Sequence, residues 1–366
     1  MKKVCLHISA NQFPPLQEAH FTRKTWVELA KAFDEYHIVA RSFHEKFEYY
    51  SEGNIHLHLV PALGSKSRSF LVSGWYIFYL IPRYSVTHLL AQSSILGGFA
   101  GALASRLFRI PMMCEVHGEE YFRYFAGTSF KDKFWAAVSK FSFHTARKVR
   151  SLNRLMTQKL QEQGIPHTVE IPNRVDLTLF NAPKTDFSLS NTIRLVSVGR
   201  FVKEKNYLQL IRFLAQSGLN FHLTLVGGGP LKPEYQSLTD ALQLEARVTL
   251  IDWIPQQDLL TLMTGSDIYI QYSVSEGMPR TILEAMALQM PIISTNVGSI
   301  QGIIEQEQNG ILIEVGDEQQ LIGAIRHLIK EENLRRQIAA KALQDVKDKY
   351  EWNNIFSLYR SELSNM

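Results

Sequence analysis

The chain has 366 residues, 45% of them hydrophobic and 20% charged, the proportions of an ordinary soluble globular protein. That length is more than one core usually serves, so two domains are expected. The +4 formal charge hides a division: residues 1–184 hold 23 Lys and Arg against 14 Asp and Glu, the remainder 16 against 21. A basic half suits an anionic partner, whether nucleic acid or a lipid headgroup surface. Cys5 and Cys114 both lie in apolar runs, which suggests buried thiols in a reducing compartment and excludes a cysteine metal site of the usual spacing.

In chain order, residues 3–9 alternate and are rich in β-formers, so they read as a strand, and no secretory signal is expected there. Residues 10–20 read as a loop around Pro14 and Pro15. Helical spacing follows over 22–33, then strands at 36–41 and 55–60. A helix is expected near 70–80, too short to span a membrane and closed by Pro82. A strand at 87–92, a Gly- and Ala-rich helix at 94–108, a strand at 112–116 ending at His117-Gly118, and an aromatic and basic helix at 130–146 come next. Strand, helix and strand finish this half near Pro172. The alternation implies a parallel sheet covered on both faces.

The polar stretch 181–191 reads as a linker. Strands are then expected at 193–198, 221–226, 248–251, 268–273, 292–295 and 311–315, with helices between them, and three helical segments close the chain from 318 to 363. The fold class is α/β with two similar halves. Ligands in such sheets bind outside the carboxyl ends of the strands.

Three strand-end loops of the second half carry groups suited to a phosphorylated, hydroxyl-rich ligand. Gly199-Arg200-Phe201-Val202-Lys203-Glu204-Lys205 offers a guanidinium and an ammonium to one diphosphate. Gly227-Gly228-Gly229-Pro230 lets backbone approach a ligand, although it is no dinucleotide fingerprint. Ser275-Glu276-Gly277-Met278-Pro279-Arg280-Thr281-Ile282-Leu283-Glu284 leads from strand to helix. Pro279 fits the first helical position, and Pro291 ends the helix near Met290. Free N–H groups at the helix start favour an anion, and Glu276 and Glu284 would accept hydroxyl hydrogen bonds on either side. No Asp-x-Asp, P-loop or Gly-x-Ser-x-Gly sequence occurs.

This series of loops resembles that of a retaining GT-B glycosyltransferase of glycosyltransferase family 4. The resemblance is carried by Ser197-Val198-Gly199-Arg200 with Lys205-Asn206, by Val226 to Pro230, by the Glu276 and Glu284 pair with Gly277, Pro279 and Ala285, and by Ile171-Pro172-Asn173 with Val175, Asp176 and Phe180. It implies two Rossmann-like parallel-sheet domains, 1–182 and 190–350, facing across a cleft, with the last helix (351–366) returning to the first. It implies that Arg200 and Lys205 bind the donor diphosphate, Glu276 the donor sugar and Glu284 the ribose. Backbone from Gly277 through Met278, Pro279 and Arg280 to Thr281 would touch sugar and phosphate. Gly199 and Gly228 would line the donor, Trp253 and Ile254 would border the base, and His117 would lie beside the sugar. Two departures stand out: the loop after the first strand lacks the family's frequent Gly-Gly pair, and Asn173-Arg174 replaces its Asn-Gly.

The activity expected is retaining transfer from a nucleoside-diphosphate sugar to a hydroxyl of a glycan or lipid-linked saccharide, in bacterial surface polysaccharide synthesis such as capsule or lipopolysaccharide. No cofactor and no metal is expected, no nucleic acid partner, and a cytoplasmic location with peripheral attachment to anionic membrane through the basic first half, residues 130–135 with Lys140, Arg147, Lys148 and Arg150. A sugar-nucleotide 2-epimerase of the same fold and a non-catalytic sugar-nucleotide or glycan-binding protein remain alternatives. A nicotinamide oxidoreductase is disfavoured by the missing fingerprint.

Overall fold

The computed structural model describes residues 2–14, 16, 22–61, 63–64, 66–117 and 120–366. They form two compact units, Met1–Pro172 with Asn353–Met366, and Asn173–Trp352.

The first unit runs β1 (Val4–Phe13), α1 (Thr22–Ala30), β2 (Glu35–Ser42), β3 (Glu48–Glu52), β4 (Ile55–Val60), α2 (Lys66–Tyr84), β5 (His88–Ala91), α3 (Leu96–Phe108), β6 (Met112–Glu115), α4 (Glu120–Ala126), α5 (Phe130–Thr145), β7 (Lys148–Ser151), α6 (Arg154–Glu162) and β8 (Thr168–Glu170). The sheet order is β3-β4-β2-β1-β5-β6-β7-β8. All neighbours are parallel except the β3/β4 pair. Strands β5 and β6 are buried along their whole length, as strands covered by helices on both faces must be. The small residues of α3 serve this closeness. A Cβ at Gly101 would sit 2.9 Å from Met112 Sδ and 3.2 Å from Ile8. Cys5 and Cys114 are free and buried, and burial pushes both thiols up.

Three local expectations change. Strand β1 continues to Phe13 where a loop was expected, because pairing with β2 resumes at Gln12↔Arg41 after an irregularity following Ile8. Of that loop, Pro15 and residues 17–20 lie outside the described residues, as does Gly118. Helix α2 runs through Pro82 to Tyr84, and β3 and α4 have no counterpart in the sequence reading.

The second unit runs β9 (Ile193–Val198), α7 (Tyr207–Gln216), β10 (Phe221–Val226), α8 (Lys232–Ala241), β11 (Val248–Ile251), α9 (Gln256–Gly265), β12 (Ile268–Gln271), α10 (Arg280–Ala287), β13 (Ile292–Thr295), β14 (Ile311–Ile313), α11 (Glu318–Lys330) and α12 (Glu332–Lys349); α13 (Trp352–Ser364) groups with the first unit from Asn353 onward. Its sheet is parallel, in the order β11-β10-β9-β12-β13-β14. The chain winds outward one way from β9 and the other way from β12. The loops after these two adjacent strands therefore diverge and leave a crevice at the switch point, where such sheets take ligands. The division into units falls at Pro172/Asn173, ahead of the linker expected at 181–191. That stretch packs on the second unit: the Lys184 N–H donates to Leu288 O (2.8 Å), Lys184 Nζ to Thr264 O (3.2 Å), and Phe187 is buried with its carbonyl accepting from Arg335.

Candidate functional site

The switch point of the second unit gathers the charged groups that the sequence singled out. Tyr269 and Gln271 on β12, and Ser273 two residues further on, recur every second residue and so share one side. Tyr269 Oη donates to Gln271 Oε1 (2.8 Å), which fixes the amide so that its Nε2 donates to Ser273 Oγ (2.9 Å) and to Glu276 Oε1 (2.6 Å). Ser273 Oγ donates to the same Glu276 oxygen at 2.6 Å, and Lys205 Nζ reaches it at 2.7 Å. Three donors converge on Oε1, while Oε2 accepts from none of the described residues. Both side chains of the ion pair are largely buried, Lys205 15% and Glu276 12% exposed, so the pair is better shielded from solvent than a surface one.

Lys205 reaches Glu276 because the chain turns sharply after β9. A 3₁₀ turn at Lys203–Lys205 ends in Asn206 with φ 52°, and the Lys205 stem then lies across Gly199. A Cβ at Gly199 would meet Lys205 Cε at 2.8 Å. The glycine loop after β10 is stapled to this turn by backbone: the Gly199 N–H donates to Val226 O (2.9 Å) and the Phe201 N–H to Gly228 O (2.8 Å). Gly227 sits at φ 150°, and a Cβ there would collide with the Gly199 carbonyl, so only glycine fits. Arg200 stands on the same turn, exposed, its guanidinium with no hydrogen-bond or ion-pair partner among the described residues.

Helix α10 begins at Arg280. Pro279 precedes it with φ −68° and ψ 120°, one position earlier than its sequence placement, and the helix ends at Ala287 with Gln289 turned to φ 55°, short of the expected Met290. No side chain caps the first turn, so its N–H groups remain for an anion. Met278 is buried and held by Asn173, whose Nδ2 donates to the Met278 carbonyl at 2.7 Å, which fixes Gly277 between it and Glu276. Thr281 Oγ1 touches Gln271 Oε1 at 3.4 Å. Glu284 is half-buried, its carboxylate with no hydrogen-bond partner among the described residues, and burial raises its carboxyl pKa against the opposing charge of Arg280. After β11, Trp253 is 58% exposed and packs 3.4 Å from where a Gly228 Cβ would lie, with Ile254 half-buried behind it.

His117 belongs to the first unit. Its Nε2 lies 3.0 Å from Glu115 Oε2. Arg150 and the Tyr359 hydroxyl both donate to Glu115 Oε1, and Arg150 also donates to Ile171 O (2.9 Å) and Pro172 O (3.2 Å). Burial would raise the Glu115 carboxyl. The charges of His117 and Arg150, with hydrogen bonds from His117 and Tyr359, hold it well below the usual range instead. Arg150, expected on a basic surface, is in fact buried on β7, because it is the counter-charge of Glu115. Sequence reasoning missed this network and the Tyr269-Gln271-Ser273 ladder. The ladder's signal was polar residues at period two inside a run read as apolar. Glu115 and Arg150 had none, since their partners are distant in the chain.

Residues 184–345 match the family described as glycosyl transferases group 1, and residues 19–174 match the glycosyl transferase 4-like domain. The chain belongs to the group 1 glycosyl transferases. It is 29% identical over 181 residues to the N-acetyl-alpha-D-glucosaminyl L-malate synthase of Bacillus anthracis, across 49% of this chain and 47% of that one, so it spans about half the length of that relative. It is 28% identical over 306 residues to the UDP-Gal:alpha-D-GlcNAc-diphosphoundecaprenol alpha-1,3-galactosyltransferase of Escherichia coli, across 73% of this chain and 75% of that one. The solved sucrose-phosphate synthase of Thermosynechococcus elongatus superposes over 100% of both chains with a TM-score of 0.82 at 19% identity, a likeness of fold. The group 1 fold, GT-B, thus accounts for both parallel sheets.

Proposed function

We propose that this group 1 protein transfers a sugar from a nucleoside-diphosphate sugar to a hydroxyl of a glycan or lipid-linked saccharide, with retention at the anomeric carbon. The observation that carries the reading is the one-sided saturation of Glu276. Its Oε1 is held by Lys205, Gln271 and Ser273, while Oε2, the Glu284 carboxylate and the Arg200 guanidinium keep open valences. Two carboxylates with free oxygens suit sugar and ribose hydroxyls, and the free guanidinium with uncapped helix N–H groups suits a diphosphate. The Escherichia coli relative is named for a UDP-sugar donor and a lipid-diphosphate acceptor, in keeping with this assignment and with a role in surface polysaccharide synthesis.

Negative charge grows on the diphosphate as it leaves. Arg200, Lys205 and the α10 N–H groups would stabilise it, and donors fixed before the reaction do so without reorganisation. With no Asp-x-Asp in the sequence, these cations take the place of a metal. No protein nucleophile is assigned, and the leaving phosphate would accept the acceptor proton. His117 is oriented within the first unit by Glu115. The test is release of nucleoside diphosphate from a panel of nucleotide sugars, with EDTA, in wild type and Lys205→Ala. Acceptor-dependent, EDTA-insensitive turnover lost in the variant supports the reading. An epimerised donor formed without acceptor would replace it with the epimerase.

The acceptor side is proposed to bind an anionic membrane surface. Among the described residues no helix is long and apolar enough to cross a membrane. Large apolar side chains nevertheless stand in solvent on three helices of the first unit: Trp75 on α2 (80% exposed), Leu107 on α3 (67%) and Phe130 on α5 (87%). Arg106 and Arg109 near the end of α3, and Lys131 and Lys133 on α5, are exposed with them. Apolar groups interleaved with cations suit a headgroup layer. Co-sedimentation with phosphatidylglycerol vesicles, weakened by salt and by Trp75→Ser, would support this, and equal pelleting with neutral vesicles would reject it.

A further inference from the structure

At the other end of the first unit's strands from His117, four titratable residues meet on one sheet face. Glu35 and His37 are two apart on β2, and His56 and His58 two apart on β4, so each pair shares a face. The register places His37 opposite His56. A carboxylate oxygen of Glu35 and ring nitrogens of His37 and His56 lie within 4.8 Å of one another, and Glu35 Oε2 is 3.4 Å from His37 Nε2.

We propose that Glu35, His37 and His56 form a binding site for a divalent transition-metal ion, best fitted by Zn2+, that ties β2 to β4. Two imidazoles and one carboxylate are donors that zinc accepts in tetrahedral geometry with water as the fourth ligand, whereas magnesium and calcium favour all-oxygen sets. Donors about 2.0–2.1 Å from a tetrahedral zinc stand about 3.4 Å apart, the separation already present between Glu35 and His37. The His37 and His56 rings are stacked, with centroids 4.5 Å apart. Closure therefore needs a rotation of His56, which is half-buried while His37 is fully buried.

The groups behind the donors are also in place. His37 Nδ1 is hydrogen-bonded to His58 Nε2 at 3.0 Å, and His56 Nδ1 to the Tyr49 hydroxyl at 2.8 Å. Lys2 occupies Glu35 Oε1 at 2.6 Å, leaving Oε2 toward the histidine. Such partners orient the ligating nitrogens and fix their tautomers. Tyr84 covers the cluster with its ring centroid 4.2 Å from that of His37, and half-buried Glu35 and His56 leave an approach from solvent. The site lies where β2 and β4 begin, at the end of the first unit's parallel strands opposite the one that His117 follows, so the ion has a structural part.

The test is calorimetric titration of the metal-stripped full chain with zinc chloride, alongside Glu35→Gln, His56→Ala and, as a partner-shell variant, His58→Gln. Wild type should bind one Zn2+, with a rise in Tm. His56→Ala and Glu35→Gln should lose binding while keeping the wild-type circular dichroism spectrum, and His58→Gln should weaken it about 10–100-fold. Co2+ loaded in place of zinc should show the intense visible absorption of a tetrahedral site. No zinc binding by wild type, or binding unchanged in both His56→Ala and Glu35→Gln, would overturn the proposal.

Discussion

Two carboxylates, one in each unit, show how a structural network differs from a ligand site. Glu115 and Glu276 each meet a cation and a hydroxyl. Glu115 spends both oxygens, Oε1 on Arg150 and Tyr359 and Oε2 on His117, and the Glu115 and Arg150 side chains are each 2% exposed. Glu276 spends only Oε1, and its neighbours Arg200 and Glu284 spend nothing on the protein. A closed network stabilises and orients, here fixing His117. An open one, rigid on one side and unsatisfied on the other, is prepared for a ligand that supplies the missing partners.

The comparison breaks first on stability. Glu115→Ala strands a buried guanidinium and should lower the unfolding free energy by about 3–5 kcal/mol, whereas Glu276→Ala leaves Lys205 able to reach solvent and should cost about 1 kcal/mol. Urea denaturation of both variants measures this, and equal losses would mean that the two networks do not differ in kind. Activity should reverse the order. Arg200→Ala should lower kcat about 10²–10³-fold if the guanidinium meets the developing diphosphate charge, with Tm unchanged because the side chain is exposed and unpartnered. Initial rates of diphosphate release give the number, and near-normal turnover would remove Arg200 from the site.

The same contrast explains what the sequence made legible. The strands and helices of the second unit could be read in order because its hydrophobic runs are clean and each is followed by a turn, and the charged loops fall at strand ends where α/β sheets bind ligands. Glu276 with Lys205 was legible as chemistry, since loop carboxylates and cations in such positions have few structural duties. The ladder beneath them was not: Tyr269, Gln271 and Ser273 lie in a run whose apolar members dominate its pattern. Nor was the Glu115-Arg150-Tyr359 set, because it joins residues 115, 150 and 359 through the tertiary fold alone. Strand β3 escaped because edge strands carry polar residues, and β1 overran its expected end because a bulge conceals the pairing of Gln12 and Phe13.

A pH titration sharpens the comparison from the closed side. His7 is buried on β1 with Nδ1 on the Tyr36 hydroxyl at 2.9 Å, and burial lowers its pKa to about 4. The unfolded chain therefore takes up a proton between about pH 6.5 and 4 that the folded chain refuses. Stability attached to His7 is full above the unfolded value and falls as pH drops toward the folded one. The loss between pH 7.5 and 5 should be about 2 kcal/mol. His7→Asn should show a smaller fall in urea midpoint over that interval than wild type. Equal falls would show that the folded protein admits the proton.

Glu284 supplies the smallest effect and the most direct reading of an open site. Burial raises its pKa and no described residue donates to its carboxylate, so folding carries a desolvation cost that is absent when the group is protonated, grows as pH rises from the unfolded pKa to the raised folded one, and is full above it. Glu284→Gln removes that charge and should raise Tm slightly at pH 7.5 while raising KM for the nucleotide-sugar donor about tenfold, equivalent to about 1.4 kcal/mol, with little change in kcat. A stabilising substitution that weakens donor binding is the signature of a group kept unsatisfied for a ligand. Were Tm to fall with KM unchanged, Glu284 would be part of the packing of α10, and the open network would contract to Glu276 and Arg200.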